Sequence, residues 1–146
     1  MAAIGSLIEA QCPAGEDALA CSYKGSAASQ SGWFTGGEWV FDLAWIVQRR
    51  NPKAGEAALT VGLPLVLECE WLSWSNIWDD FDKLLLPRAG LRVMIFQKRK
   101  DTPEDWDRIL FDRADAFAQG STSDAWLLCY WNSGFTFRRR IGSVVS

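Results

Sequence analysis

The run Trp39-Val40-Phe41-Asp42-Leu43-Ala44-Trp45-Ile46-Val47 is apolar at every position but one. Side chains alternate between the two faces of a strand. As a strand, this segment is apolar on both faces and belongs inside a sheet rather than at its margin. A chain that contains it must cover both faces, and a sheet flanked by helices does so. At 146 residues the length suits one domain around one core. With 49% apolar and 23% charged residues, a disordered chain is excluded.

The rest of the chain reads as alternating helices and strands. Ile4, Leu7 and Ile8, and then Ala18, Leu19 and Tyr23, have helical spacing, so one or two short helices are expected before residue 30. Gly36-Gly37 separates Trp33–Thr35 from the long apolar run and reads as a hairpin turn. A strand region spans Ala57 to Trp71. Pro64 lies within it, so its ladder is expected to begin at Leu65. Ser75 or Asn76 is expected to cap a helix running to about Leu86, with Asp79, Asp80 and Asp82 toward its positive end. Leu91–Gln97 reads as a buried strand, Pro103 to about Ala118 as a second helix, and Asp124–Trp131 with Phe135–Ile141 as a closing hairpin. The expected class is α/β, with a mixed sheet and flanking helices in a single domain over 1–146.

Three acids stand out against this pattern. Asp42 interrupts the apolar run, and Glu68 and Glu70 follow Leu65-Val66-Leu67. Glu68 and Glu70 share one strand face, about 7 Å apart, while Leu67, Cys69 and Trp71 take the other. An unpaired buried carboxylate is costly, so such a group is paired, hydrogen-bonded or on a metal. The chain has no histidine, which excludes Ser–His–Asp and Cys–His catalysis and imidazole–zinc sites. Oxygen ligands alone favour a hard cation: Mg²⁺, Mn²⁺ or Ca²⁺. The plainer alternative is two solvated glutamates at a strand end and an aspartate bonded to loop backbone. The four cysteines form no CxxC pair. Cys69 and Cys129 read as small buried hydrophobes, and a Cys12–Cys21 disulfide has no secretory signal to favour it.

Phe41-Asp42, Leu65-Val66-Leu67-Glu68-Cys69-Glu70, the helix with Asp80-Phe81-Asp82-Lys83-Leu84-Leu85 and the strand Arg92-Val93-Met94-Ile95-Phe96 together resemble the restriction-endonuclease-like, PD-(D/E)xK nucleases. The resemblance spans about residues 5–97. It implies a core of order α-β-β-β-α-β, followed here by α-β-β. It also implies an Mg²⁺ or Mn²⁺ cofactor held by Asp42, Glu68 and the Cys69 carbonyl, and hydrolysis of DNA or RNA phosphodiester bonds. The family's usual lysine is replaced by Glu70, which the resemblance casts as a further ligand or a general base. Lys83 is the candidate to supply the missing positive charge, and an ordinary Asp79–Lys83 surface pair is its alternative. Glu9 would be an additional acid from the first helix.

Arg138-Arg139-Arg140 and Lys98-Arg99-Lys100 are candidate phosphate contacts or solvated strand ends. The net charge of −3 gives non-specific nucleic-acid binding no support. Nine tryptophans are an unusual load. Trp71, Trp74 and Trp78 could stack on bases, close the core or line a homodimer interface. No apolar run is long enough to span a membrane, and a cytoplasmic location is expected. Two functions are in view: a metal-dependent nuclease-like phosphodiesterase, and a non-catalytic protein-interaction domain on the same fold, homodimeric through a tryptophan-rich surface.

Overall fold

The computed structural model describes residues 16–22, 34–36, 40–49, 57–117 and 125–142. The protein is α+β, with mixed parallel and antiparallel pairing and two described helices. Its chain divides into two compact units, Met1–Val66 and Leu67–Ser146.

In the first unit, strands β1 (Glu16–Ser22), β2 (Phe34–Gly36) and β3 (Leu43–Arg49) and the beginning of β4 (Leu59–Glu70) follow the order β2-β1-β3-β4. Phe41, Leu43, Ala44, Trp45 and Ile46 are all buried. Consecutive burial means that both faces of β3 are covered, as its composition requires. β1 replaces the helix expected from Ala18 and Leu19. All seven of its residues pair antiparallel with β3, and this pairing prevails over a weak helical spacing. The expected hairpin at Gly36-Gly37 does not form between neighbouring strands, because β2 pairs in parallel with β1. A two-residue turn joins only antiparallel strands. β4 starts at Leu59 and carries Pro64 inside it, earlier than expected. Ile4, Leu7, Ile8, Glu9 and Cys12 lie outside the described residues.

In the second unit the order is β4-β5-β6-β7, with β5 (Leu91–Gln97), β6 (Ala125–Trp131) and β7 (Phe135–Ile141). β5 and β6 are parallel, and the crossover between them carries helix α2 (Trp106–Ala116). β6 and β7 are antiparallel and pair one-to-one without a bulge over seven residues. The register sorts the side chains. Arg92, Met94 and Phe96 align with Trp126, Leu128 and Tyr130, which align with Arg140, Arg138 and Thr136. Both helices lie on this face. Phe81 stacks on Trp126 at 5.0 Å, and Trp106 meets Tyr130 at 4.8 Å and Phe96 at 5.2 Å, edge-on.

Helix α1 (Trp74–Leu85) buries Ile77, Phe81, Leu84 and Leu85, one stripe at helical spacing. Its cap is Ser73, not the expected Ser75 or Asn76. Ser73 is extended, and its hydroxyl accepts the Asn76 N–H at 3.3 Å. The first turn therefore contains no acid, and Asp79, Asp80 and Asp82 lie beyond the reach of the helix dipole that was expected to favour them. The other end is closed by Arg92 on β5. Its guanidinium donates to the carbonyls of Leu84 (2.9 Å), Pro87 (2.7 Å) and Ala89 (3.3 Å) and lies 5.2 Å from the Trp126 ring. One buried cation thus satisfies carbonyls that the helix end leaves open. α2 begins at Trp106, three residues after the expected Pro103. Thr102 instead closes a turn, exchanging hydrogen bonds with Arg99.

Candidate functional site

The three acids fall in different surroundings. Asp42 is exposed and precedes β3 at a bend, rather than sitting inside a buried strand. Its neighbours Phe41 and Leu43 are buried, whereas Asp42 itself is exposed. Asp42 belongs to the first unit, and Glu68 and Glu70 to the second.

Glu68 fits the expectation of burial at 2% exposure. Strand alternation and its approach to α1 place it on the helix-covered face of β4. The Lys83 ammonium on α1 lies 4.0 Å from Glu68 Oε1 and 2.6 Å from Asp80 Oδ1. Lys83 therefore bonds Asp80 one turn back, not Asp79, and bridges toward the buried glutamate. Glu70 is half-buried, and its carboxylate accepts the N–H of Leu72 at 2.5 Å. Cys69, whose carbonyl was the remaining expected ligand, directs its half-buried side chain to the opposite face from Glu68.

A divalent cation such as Mg²⁺ needs several oxygen ligands converging in near-octahedral geometry. Among the described residues, no three Asp, Glu or Cys side chains gather in a group that could hold a metal. Glu68 already has an ammonium beside it, and Glu70 is turned to its own chain. Within the second unit, Glu68 and Glu70 each have a contact inside the chain, to Lys83 and to the Leu72 N–H.

The basic segments are largely engaged within the fold. Arg138 donates to Asp107 at 3.2 Å. Arg140 donates to Asp115 at 2.9 Å and to the Phe111 carbonyl at 3.1 Å, and stacks over the Phe111 ring. Lys98 pairs with Glu104 at 3.0 Å, and Arg99 donates to the Trp71 carbonyl at 2.5 Å. Lys100 and Arg139 are exposed and form no ion pair among the described residues. Arg113 forms a two-pronged pair with Asp82 and lies over Trp78 at 4.4 Å. A shallow cavity of about 280 Å³, lined by Asp82, Leu85, Leu86, Arg113, Ala116 and Phe117, opens beside that pair and not beside Glu68.

The described tryptophans differ in exposure. Trp45, Trp106 and Trp126 are core residues, Trp74 and Trp78 pack edge-on and half-buried, and Trp71 and Trp131 are exposed. β7 forms where the sequence places it, but its exposed apolar face was not expected. Phe135, Phe137 and Ile141 are 54%, 58% and 64% exposed, on the sheet face away from the helices. The signal was alternation in Phe-Thr-Phe-Arg-Arg-Arg-Ile, where the odd positions carry the apolar side chains. Among the described residues, no helix is long and apolar enough to cross a membrane.

Compared with models of known protein families and with curated proteins, the sequence matches none.

Proposed function

We propose that this chain is a non-catalytic interaction domain that works by polypeptide contact at the β6–β7 hairpin. The observation that carries the reading is the row Phe135, Phe137 and Ile141, which leaves three large apolar side chains in water on one face of a strand. Trp131, Phe135 and Phe137 are in ring contact and form one exposed apolar patch, with Ile141 beyond Arg139. Such a patch marks a contact site where scattered exposed residues do not. β7 ends the strand order of its unit, so it also presents an unpaired backbone edge among the described residues.

A second reading is a restriction-endonuclease-like phosphodiesterase acting on DNA or RNA with Mg²⁺ or Mn²⁺. It is favoured by one observation, the approach of Lys83 to Glu68, which supplies positive charge beside the motif glutamate in a sequence that has Glu70 in the usual lysine position. The interaction reading is preferred because that same ammonium gives Glu68 a structural partner.

The two readings separate cleanly. Random peptides displayed on phage are selected on the wild type and counter-selected on Phe137→Asp. Enrichment of peptides that need Phe137 supports the interaction reading. Incubation with single- and double-stranded DNA and RNA in Mg²⁺ or Mn²⁺ is the second arm. Cleavage that Glu68→Ala abolishes would overturn the interaction reading in favour of the phosphodiesterase.

A further inference from the structure

The open edge of β7 has a chemistry that selects its occupant. We infer that β7 takes an extended acidic peptide, added to the sheet as a further strand, with a carboxylate of the peptide facing Arg139. This inference rests on the interaction reading and names the partner class for that surface.

Three features of the strand lead there. First, β7 is regular in its pairing. Its seven residues pair one-to-one with β6, and it contains no proline and no bulge. Charged side chains also blunt edges, but Arg138 and Arg140 are held on the helix side by Asp107 and Asp115, which leaves Arg139 as the charge on the open side. Among the described residues the edge is open to backbone pairing with an added strand.

Second, the two faces of β7 are differently committed. Thr136, Arg138 and Arg140 lie on the helix side, where Asp107 and Asp115 neutralise the two arginines. Phe135, Phe137, Arg139 and Ile141 lie on the open side. Of the three arginines only Arg139 has no acid beside it among the described residues. An added strand would place residues directly opposite these four, about 5 Å away. It would need apolar side chains at three positions and an acid at the fourth.

Third, charge and ring geometry disfavour the other occupants. β7 contains three arginines and no acid. A second copy of β7 paired along the full strand therefore brings no acid to lie opposite Arg139. A single-stranded nucleic acid would require flat, accessible rings. Trp131 and Phe135 meet edge-on at 69° rather than as parallel platforms, and the net charge of −3 opposes a polyanion.

The test uses fluorescence anisotropy with labelled synthetic peptides as long as β7. The probe carries Val opposite Phe135, Phe137 and Ile141, Glu opposite Arg139, and Thr elsewhere. One control replaces Glu by Lys, and another places Pro at the centre. The acidic peptide should bind at least about tenfold more tightly than either control, a factor worth about 1.4 kcal/mol. Arg139→Glu changes an exposed side chain and should reverse the preference between Glu and Lys peptides. Equal binding of the Glu and Lys peptides, or no binding at millimolar peptide, overturns the inference. So does a labelled single-stranded oligonucleotide that binds more tightly through Arg139, or self-association that blocks the peptide. If phage selection yields Phe137-dependent peptides that are not acidic, the inference fails while the interaction reading stands. If it yields none, both fail.

Discussion

The Lys83 ammonium on α1 lies 4.0 Å from the carboxylate of Glu68 on β4, with Asp80 holding it from the same helix at 2.6 Å. Glu68 is buried, whereas the Lys83 side chain is 41% exposed. The pair thus joins a costly buried charge to a partner that solvent partly screens. Removing the lysine leaves the carboxylate with less compensation, but screening limits the loss. Lys83→Met is expected to lower stability by about 1–2 kcal/mol. A double-mutant cycle with Glu68→Gln is expected to show coupling of about 1 kcal/mol by urea denaturation. Strict additivity would mean that the two side chains do not interact.

Arg92 should matter more than any surface ion pair. Its guanidinium serves the Leu84, Pro87 and Ala89 carbonyls from a buried position. Arg92→Met keeps the bulk but strands those acceptors, at an expected cost of about 2–4 kcal/mol. Arg92→Lys should recover little, because an ammonium cannot reproduce the planar fork. Chemical denaturation of both variants checks this, and a lysine variant equal to wild type would refute it.

The Ser73 cap gives a smaller and more local expectation. Ser73→Ala removes the acceptor for the Asn76 N–H and should cost about 1 kcal/mol, whereas Ser73→Asp should retain most of the stability. Denaturation midpoints measured at fixed pH distinguish the two.

Cys129 sets a limit at high pH. Burial raises its thiol pKa above the ordinary value of 9.0. At neutral pH the folded and unfolded chains both keep the proton, so the group adds no pH dependence. Above about pH 9 the unfolded chain loses it first and is favoured, so stability falls as pH rises through that range. Urea midpoints at about pH 8 and about pH 10 should diverge in the wild type and diverge less in Cys129→Ala.

Much of the fold was legible because its strong signals were local. Leu91–Gln97 and Phe135–Ile141 occur where apolar pattern and turn residues put them, and α1 ends near Pro87. The errors came where pairing partners decide. Ala18 and Leu19 are equally at home in a helix, and only the ladder with β3 makes them a strand. Gly36-Gly37 looked like a hairpin turn because the sequence does not reveal that β1, not β2, lies beside β3. For the site, alternation assigns Glu68 and Glu70, both in β4, to one face. It did not reveal that Asp42 would be exposed before its strand, or that Lys83 would choose Asp80. Those outcomes depend on a strand boundary and on a helical phase that begins at Ser73, two residues before the expected cap.

The central claim is that Glu68 is engaged by Lys83 and that the chain acts by contact rather than through a metal on its acids. Thermal unfolding with and without millimolar Mg²⁺ or Mn²⁺, for the wild type and Glu68→Gln, tests it directly. A ligand at about a hundred times its Kd would stabilise the folded state by about 2.7 kcal/mol. The account predicts a wild-type midpoint unchanged by either metal. A metal-dependent rise in the midpoint that Glu68→Gln abolishes would contradict it.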